Sequence, residues 1–100
     1  MQEGSEITLD SVVVASRDQV CSDLGAETAI LGLRRNAYYS VDRVGKRIWE
    51  LLQTPRSVAA ILAALLARYE VDPGRCRDDL LRLLRALHDE GLIEIRHGAA

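Results

Sequence analysis

The sequence predicts an α+β domain: an N-terminal antiparallel β-meander, three α-helices and a short closing strand, in a winged helix-turn-helix-like layout. Three observations predict it. Residues 7–41 hold short runs rich in Val, Ile, Thr and Tyr, separated by turn residues. Residues 42–91 hold three apolar patterns at helical spacing, each with its own start signal. One hundred residues make a single domain, 1–100, long enough for one core without metals or disulfides.

The elements follow in order. Residues 1–6 and 97–100 are expected to be flexible. Ile7 to Ala15 reads as strand, interrupted near Asp10. Val20 to Leu24 alternates weakly and Gly25 breaks it. Glu27 to Leu33 alternates better, with Ala29, Leu31 and Leu33 opposite Thr28, Ile30 and Gly32. Arg34, Arg35 and Asn36 form a polar turn, with Asn36 suited to a left-handed conformation. Ala37 to Val41 is a short aromatic strand. Joined by short turns, these runs make a meander.

The first helix spans Asp42 to Leu52 and stops before Pro55, with Asp42 as its cap and Val44, Ile48, Leu51 and Leu52 at helical spacing. The second starts at Ser57, and Val58, Ile61, Leu62, Leu65, Leu66 and Tyr69 form its apolar face. In the third, Asp72 caps and Pro73 takes the first helical position, where its missing amide is harmless. Cys76, Leu80, Leu83, Leu84 and Leu87 form its inward stripe, and Gly91 ends it in a left-handed cap. Leu92 to Ile95 adds the closing strand.

Composition narrows the function classes. Apolar residues are 48% and charged residues 28% of the chain, as in a soluble globular domain. No apolar run reaches the roughly 20 residues that span a bilayer. Met1 to Asp10 carries three acidic residues and no basic one, unlike a signal peptide, so a cytoplasmic protein is expected. Cys21 and Cys76 are the only cysteines. Two thiols do not build a zinc site, and in the cytoplasm free thiols are expected. His88 and His97 have no ligand or catalytic partner nearby and read as surface residues. No metal or cofactor is predicted.

An enzyme is not expected either. No motif lowers the pKa of Cys21 or Cys76, and Gly25 and Gly32 are isolated glycines, not a phosphate loop. Asp78 and Asp79 sit in the first turns of a helix, where carboxylates favour the positive end of the dipole. The alternative function is a winged-helix DNA-binding regulator. Arg75, Arg77, Arg82 and Arg85 would lie on its recognition helix. Asp78, Asp79, Asp89 and Glu90 offset them four for four, and the whole chain is at −2. Phosphate binding needs a local surplus of Lys and Arg, so no nucleic-acid partner is predicted.

The junction at residues 36–52 points elsewhere. A strand joined to a helix in one step tends to lie at a sheet edge, where its free amides and carbonyls can accept another strand. Tyr38 and Tyr39 face opposite sides of it. Tyr39, in phase with Val41, is the core residue. Tyr38 either touches a ligand or shields the edge. Trp49 is a packing residue.

The pattern Tyr38-Tyr39-Ser40-Val41-Asp42, Gly45 and Ile48-Trp49-Glu50-Leu51-Leu52 resembles the PqqD-like family. The likeness continues through Ser57-Val58-Ala59-Ala60-Ile61, Leu65, Tyr69-Glu70-Val71-Asp72 and Leu80 to Leu92-Ile93. Leu9 to Val14 and Asp23-Leu24-Gly25 also resemble the stand-alone B-type proteins of lasso peptide biosynthesis. The resemblance implies a non-catalytic recognition element. Such a protein binds the leader of a precursor peptide, often of Tyr-x-x-Pro type. The partners that the resemblance implies are a cysteine leader peptidase, which removes the leader, and an ATP-dependent macrocyclase, which closes the ring. The leader is expected as an added strand on Ala37, Tyr38, Tyr39, Ser40 and Val41. The third helix walls the groove, with Cys76, Leu80, Leu83 and Leu84 as apolar contacts and Arg75, Asp79 and Arg82 beside them.

Overall fold

Three side chains set where the helices begin. In the computed structural model, which describes residues 7–17, 19–33 and 37–96, helix α1 spans Arg43–Leu51, α2 Val58–Arg68 and α3 Pro73–Asp89. The Asp42 carboxylate accepts from the Gly45 amide at 2.8 Å, the Ser57 hydroxyl from Ala60 at 3.1 Å and the Asp72 carboxylate from Arg75 at 3.0 Å. Each satisfies an amide that has no partner within its helix. Helix α3 ends as its glycine predicts. Gly91 adopts φ +77, its amide bonds to the His88 carbonyl, and the Leu92 amide reaches back to Leu87. Leu87 and Leu92 are both buried, which completes a Schellman cap with its apolar contact.

The strands form two antiparallel sheets. One has the order β2-β3-β4, from Gln19–Asp23, Thr28–Gly32 and Ala37–Val41. The other pairs β1 (Val12–Ala15) with β5 (Arg56–Ser57) on one side and β6 (Ile93–Arg96) on the other. The first strand therefore leaves the meander expected for it. Its apolar residues reward a partner near the chain's end, and hydrogen bonds from Ala15 to Leu52 and from Ser16 to Leu92 hold it there. It is also shorter than expected. Thr8 to Ser11 forms a hydrogen-bonded turn, which accounts for the break near Asp10. The two-residue strand β5 has too little pattern to be read from sequence. The expected turn at Arg34 to Asn36 and the expected flexible ends lie outside the described residues.

One core joins the layers. Val13 and Ile93 contribute from one sheet, Ile30 and Val41 from the other, and Ile48, Trp49, Leu52, Ile61, Leu65, Leu80, Leu84 and Leu87 from the helices or their ends. Burying such side chains stabilises by roughly 1.5–3 kcal/mol each. In β3 the core face is that of Ile30, while Leu33 is 62% exposed. Helix α1 lies so close to β4 that a Cβ on Gly45 would come within 2.6 Å of the Val41 Cβ. Only glycine permits that approach.

Candidate functional site

Strand β4 is an edge of its sheet, and the polarity of that edge follows from one turn. The β2–β3 hairpin has Gly25 at φ +87 in its first central position, the positive φ that a two-residue hairpin turn needs there. It closes with the Leu24 amide donating to the Glu27 carbonyl at 2.8 Å. In an antiparallel ladder, bonded and non-bonded pairs alternate. Counting along the unbroken register, Ser22–Ala29 and Val20–Leu31 are bonded pairs. Thr28 and Ile30 then bond the other way, to Val41 and Tyr39. The amides and carbonyls of Tyr38 and Ser40 are left pointing away from the sheet.

A groove of about 700 Å³ runs along this edge. Tyr39, Ser40 and Val41 line one side, and Arg75, Cys76, Asp79, Leu80, Arg82 and Leu83 of α3 line the other. Asp42, Val44, Gly45 and Ile48 from the start of α1, with Leu65, Val71 and Asp72, complete the lining.

The family model for Coenzyme PQQ synthesis protein D (PqqD) matches residues 27–93. The chain belongs to the PqqD family. The matched span contains both walls of the groove. No curated protein matches the chain. Among solved structures, the chain is similar to TbiB1 in complex with the TbiA(beta) leader peptide. The two are 33% identical, with a TM-score of 0.70, over 87% of this chain and 98% of that one. Two others share the fold at 18% identity. A lasso peptide synthetase B1 complexed with its leader peptide has a TM-score of 0.68, over 82% of this chain and 96% of that one. The PqqD truncation of Methylobacterium extorquens PqqCD is described as a functional, stand-alone recognition element for ribosomally synthesised, post-translationally modified peptides. Its TM-score is 0.73, over 90% of this chain and 96% of that one.

Within this PqqD-family groove, nine of the twelve residues expected from sequence come together: Tyr39, Ser40, Val41, Arg75, Cys76, Asp79, Leu80, Arg82 and Leu83. Two do not. Leu84 is 0% exposed and belongs to the core, because one step along a helix turns a side chain about 100° away from Leu83. Tyr38 is 56% exposed and stands on the far face of β4. Ala37 lies on β4, but its side chain is outside the described residues. The floor residues Ile48 and Leu65 were missed because their apolar spacing marks them only as core. Val44 carried a usable signal. It continues the stripe of Ile48 by one turn, yet 38% of it is exposed, so the stripe runs out of the core and into the groove.

Charge and reactivity are muted. Arg82 pairs with Asp79 at 3.1 Å, and Arg77 with Asp78 at 3.3 Å. These arginines of α3 are thus partnered by carboxylates of their own helix, which leaves little free positive charge for phosphates. Burial raises the Cys76 thiol above its ordinary value, and the Asp79 carboxylate adds to this. Burial likewise raises Cys21. Both thiols stay protonated at neutral pH, and Cys76 acts as a small apolar part of the wall. Among the described residues, no three His, Cys, Asp or Glu side chains gather to hold a metal. Among the same residues, no helix is long and apolar enough to cross a membrane.

Proposed function

We propose that this chain is a non-catalytic recognition element that binds the leader of a lasso peptide precursor by strand addition to β4. The carrying observation is the pair of outward amide and carbonyl groups at Tyr38 and Ser40, set beside an apolar groove. Backbone bonds there set register, and side chains of the added strand that enter the groove set specificity. The similarity to TbiB1, and that protein's complex with a leader peptide, supports the reading. The leader is of Tyr-x-x-Pro type. Bound here, it is delivered to a cysteine leader peptidase, which removes it, and an ATP-dependent macrocyclase then closes the ring of the released core. Tethering of this kind raises engagement by roughly a hundredfold without new contacts at the active site. The work is done in the cytoplasm and needs no cofactor.

The test is an amide NMR titration of the protein with the TbiA(beta) leader peptide, then with a synthetic leader carrying Tyr-x-x-Pro. Saturable shifts confined to β4, the start of α1 and the groove side of α3 are expected. Shifts centred on another face, or none at millimolar peptide, would overturn the reading.

A further inference from the structure

The groove accounts for only one face of an added strand. Successive side chains point to opposite faces, so every second leader side chain leaves the groove and lies over the outer face of the sheet. That face is not uniformly polar. The register places Val20, Leu31 and Tyr38 in one cross-strand row. Val20 is 46% exposed, Leu31 is half-buried, and Tyr38 ends the row at the open edge. Tyr38 is not among the residues packed on the core, and its cross-strand neighbour on this face is Leu31. The next row along is different. It runs Ser22, Ala29, Ser40, and the Ser40 hydroxyl donates to Glu27 at 2.9 Å.

We propose that Tyr38 is a specificity-determining residue of the same site. It selects an apolar side chain, β-branched or aromatic, at the one leader position directly opposite it, on the face turned away from the groove. The inference rests on strand addition to β4. With the leader added antiparallel to β4, the outward Tyr38 amide and carbonyl form a hydrogen-bonded pair with the residue opposite, which becomes the fourth member of the Val20–Leu31–Tyr38 row. Aromatic and β-branched side chains facing each other across strands attract beyond their backbone bonds. The next outward position on the Ser40 side faces Ser40 and Glu27, which sets no apolar preference there. Leader recognition then reads both faces of the strand.

The experiment is a double-mutant cycle on the full chain. The probe is the TbiA(beta) leader peptide and its single-serine variants, with affinity read by fluorescence anisotropy. Tyr38→Ser should weaken binding about two- to fivefold with the circular dichroism spectrum unchanged. The loss should vanish for one serine variant of the peptide. A second cycle with Leu83→Ala should couple to a different peptide position, and the two should be an odd number of residues apart. Normal binding by Tyr38→Ser while Leu83→Ala is weakened would overturn the proposal and leave strand addition standing. So would an even spacing. Coupling at neither residue would overturn this inference; strand addition itself falls if the amide shifts of the leader titration lie away from β4.

Discussion

Strands β2 and β4 are the two edges of one sheet. Each has five residues, and each pairs with β3 along its whole length. By the same alternation, each leaves backbone groups pointing outward: Tyr38 and Ser40 on β4, Gln19, Cys21 and Asp23 on β2. Only one of them borders the groove. None of its lining residues comes from β2, whereas three come from β4. The β2 edge instead ends in Asp23, tied to Lys46 at 2.6 Å, the kind of charge that discourages another strand. Under the proposed function, free backbone groups alone would not make a receiving strand. A wall must stand beside them, so that pairing and side-chain burial happen together.

The α3 wall is the part of the groove whose loss should cost most. Leu83→Asp puts a carboxylate on the groove side of α3, where a bound apolar segment would strip its water. A loss of leader affinity of roughly a hundredfold is expected, measured by calorimetry. Val20→Asp places the same charge on the outer face near the β2 edge and should leave affinity within about twofold. Equal losses from both variants would mean the leader does not use the α3 wall.

The glycines test how each edge is seated. A Cβ at Gly45 meets Val41, which belongs to β4 and cannot swing aside. Gly45→Ala should destabilise by about 1–3 kcal/mol, and it should also weaken leader binding by displacing β4. Gly25→Ala meets no atom within 4 Å, but its φ of +87 strains any residue with a side chain. It should destabilise by about 1–2 kcal/mol with affinity unchanged. Chemical denaturation followed by titration of each folded variant separates the two.

Proline separates the two edges at the level of single backbone donors. Ser40→Pro removes an outward donor from β4 without breaking the bonds to β3, and about a tenfold loss of affinity is expected. Cys21→Pro does the same to β2 and should change nothing in binding. If Ser40→Pro unfolded the sheet, its amide would face β3, and the polarity assigned to the edge would be wrong.

How much of this was legible in the sequence depends on distance along the chain. Asp42, Ser57, Asp72 and Gly91 were readable because a cap is a contract between residues a few positions apart. The sheet of β1 was not, because Val12 to Ala15 fits either sheet and only the fold decides. The same holds at the site. Tyr39 to Val41 and Arg75 to Leu83 were legible as two local patterns. The rest of the lining was not, since Ile48, Leu65 and Val71 come from three further segments that only packing brings together. The error at Leu84 has a smaller cause. A helix stripe fixes a face to within about one residue, and the groove needs better than that.

The ion pair that closes the β2 edge should matter least. The hydrogen bond from Lys46 holds the Asp23 carboxyl below its ordinary 3.8, and the same bond from Asp23 raises the Lys46 ammonium above 10.5. Both groups are exposed, so the contribution to stability is slight. Its sign is definite at each end. For Asp23, the lowered folded value means the stabilisation is present above pH 3.8 and fades as acid protonates the folded carboxylate. For Lys46, the raised folded value means it is present below pH 10.5 and fades as base removes the proton. Between those limits it does not vary. Asp23→Asn should therefore be slightly less stable than the parent from pH 5 to 9, by a constant amount, and equal to it well below pH 3.8. Urea melts across that range check this. A gap that widened in acid would mean another group supports the β2 edge.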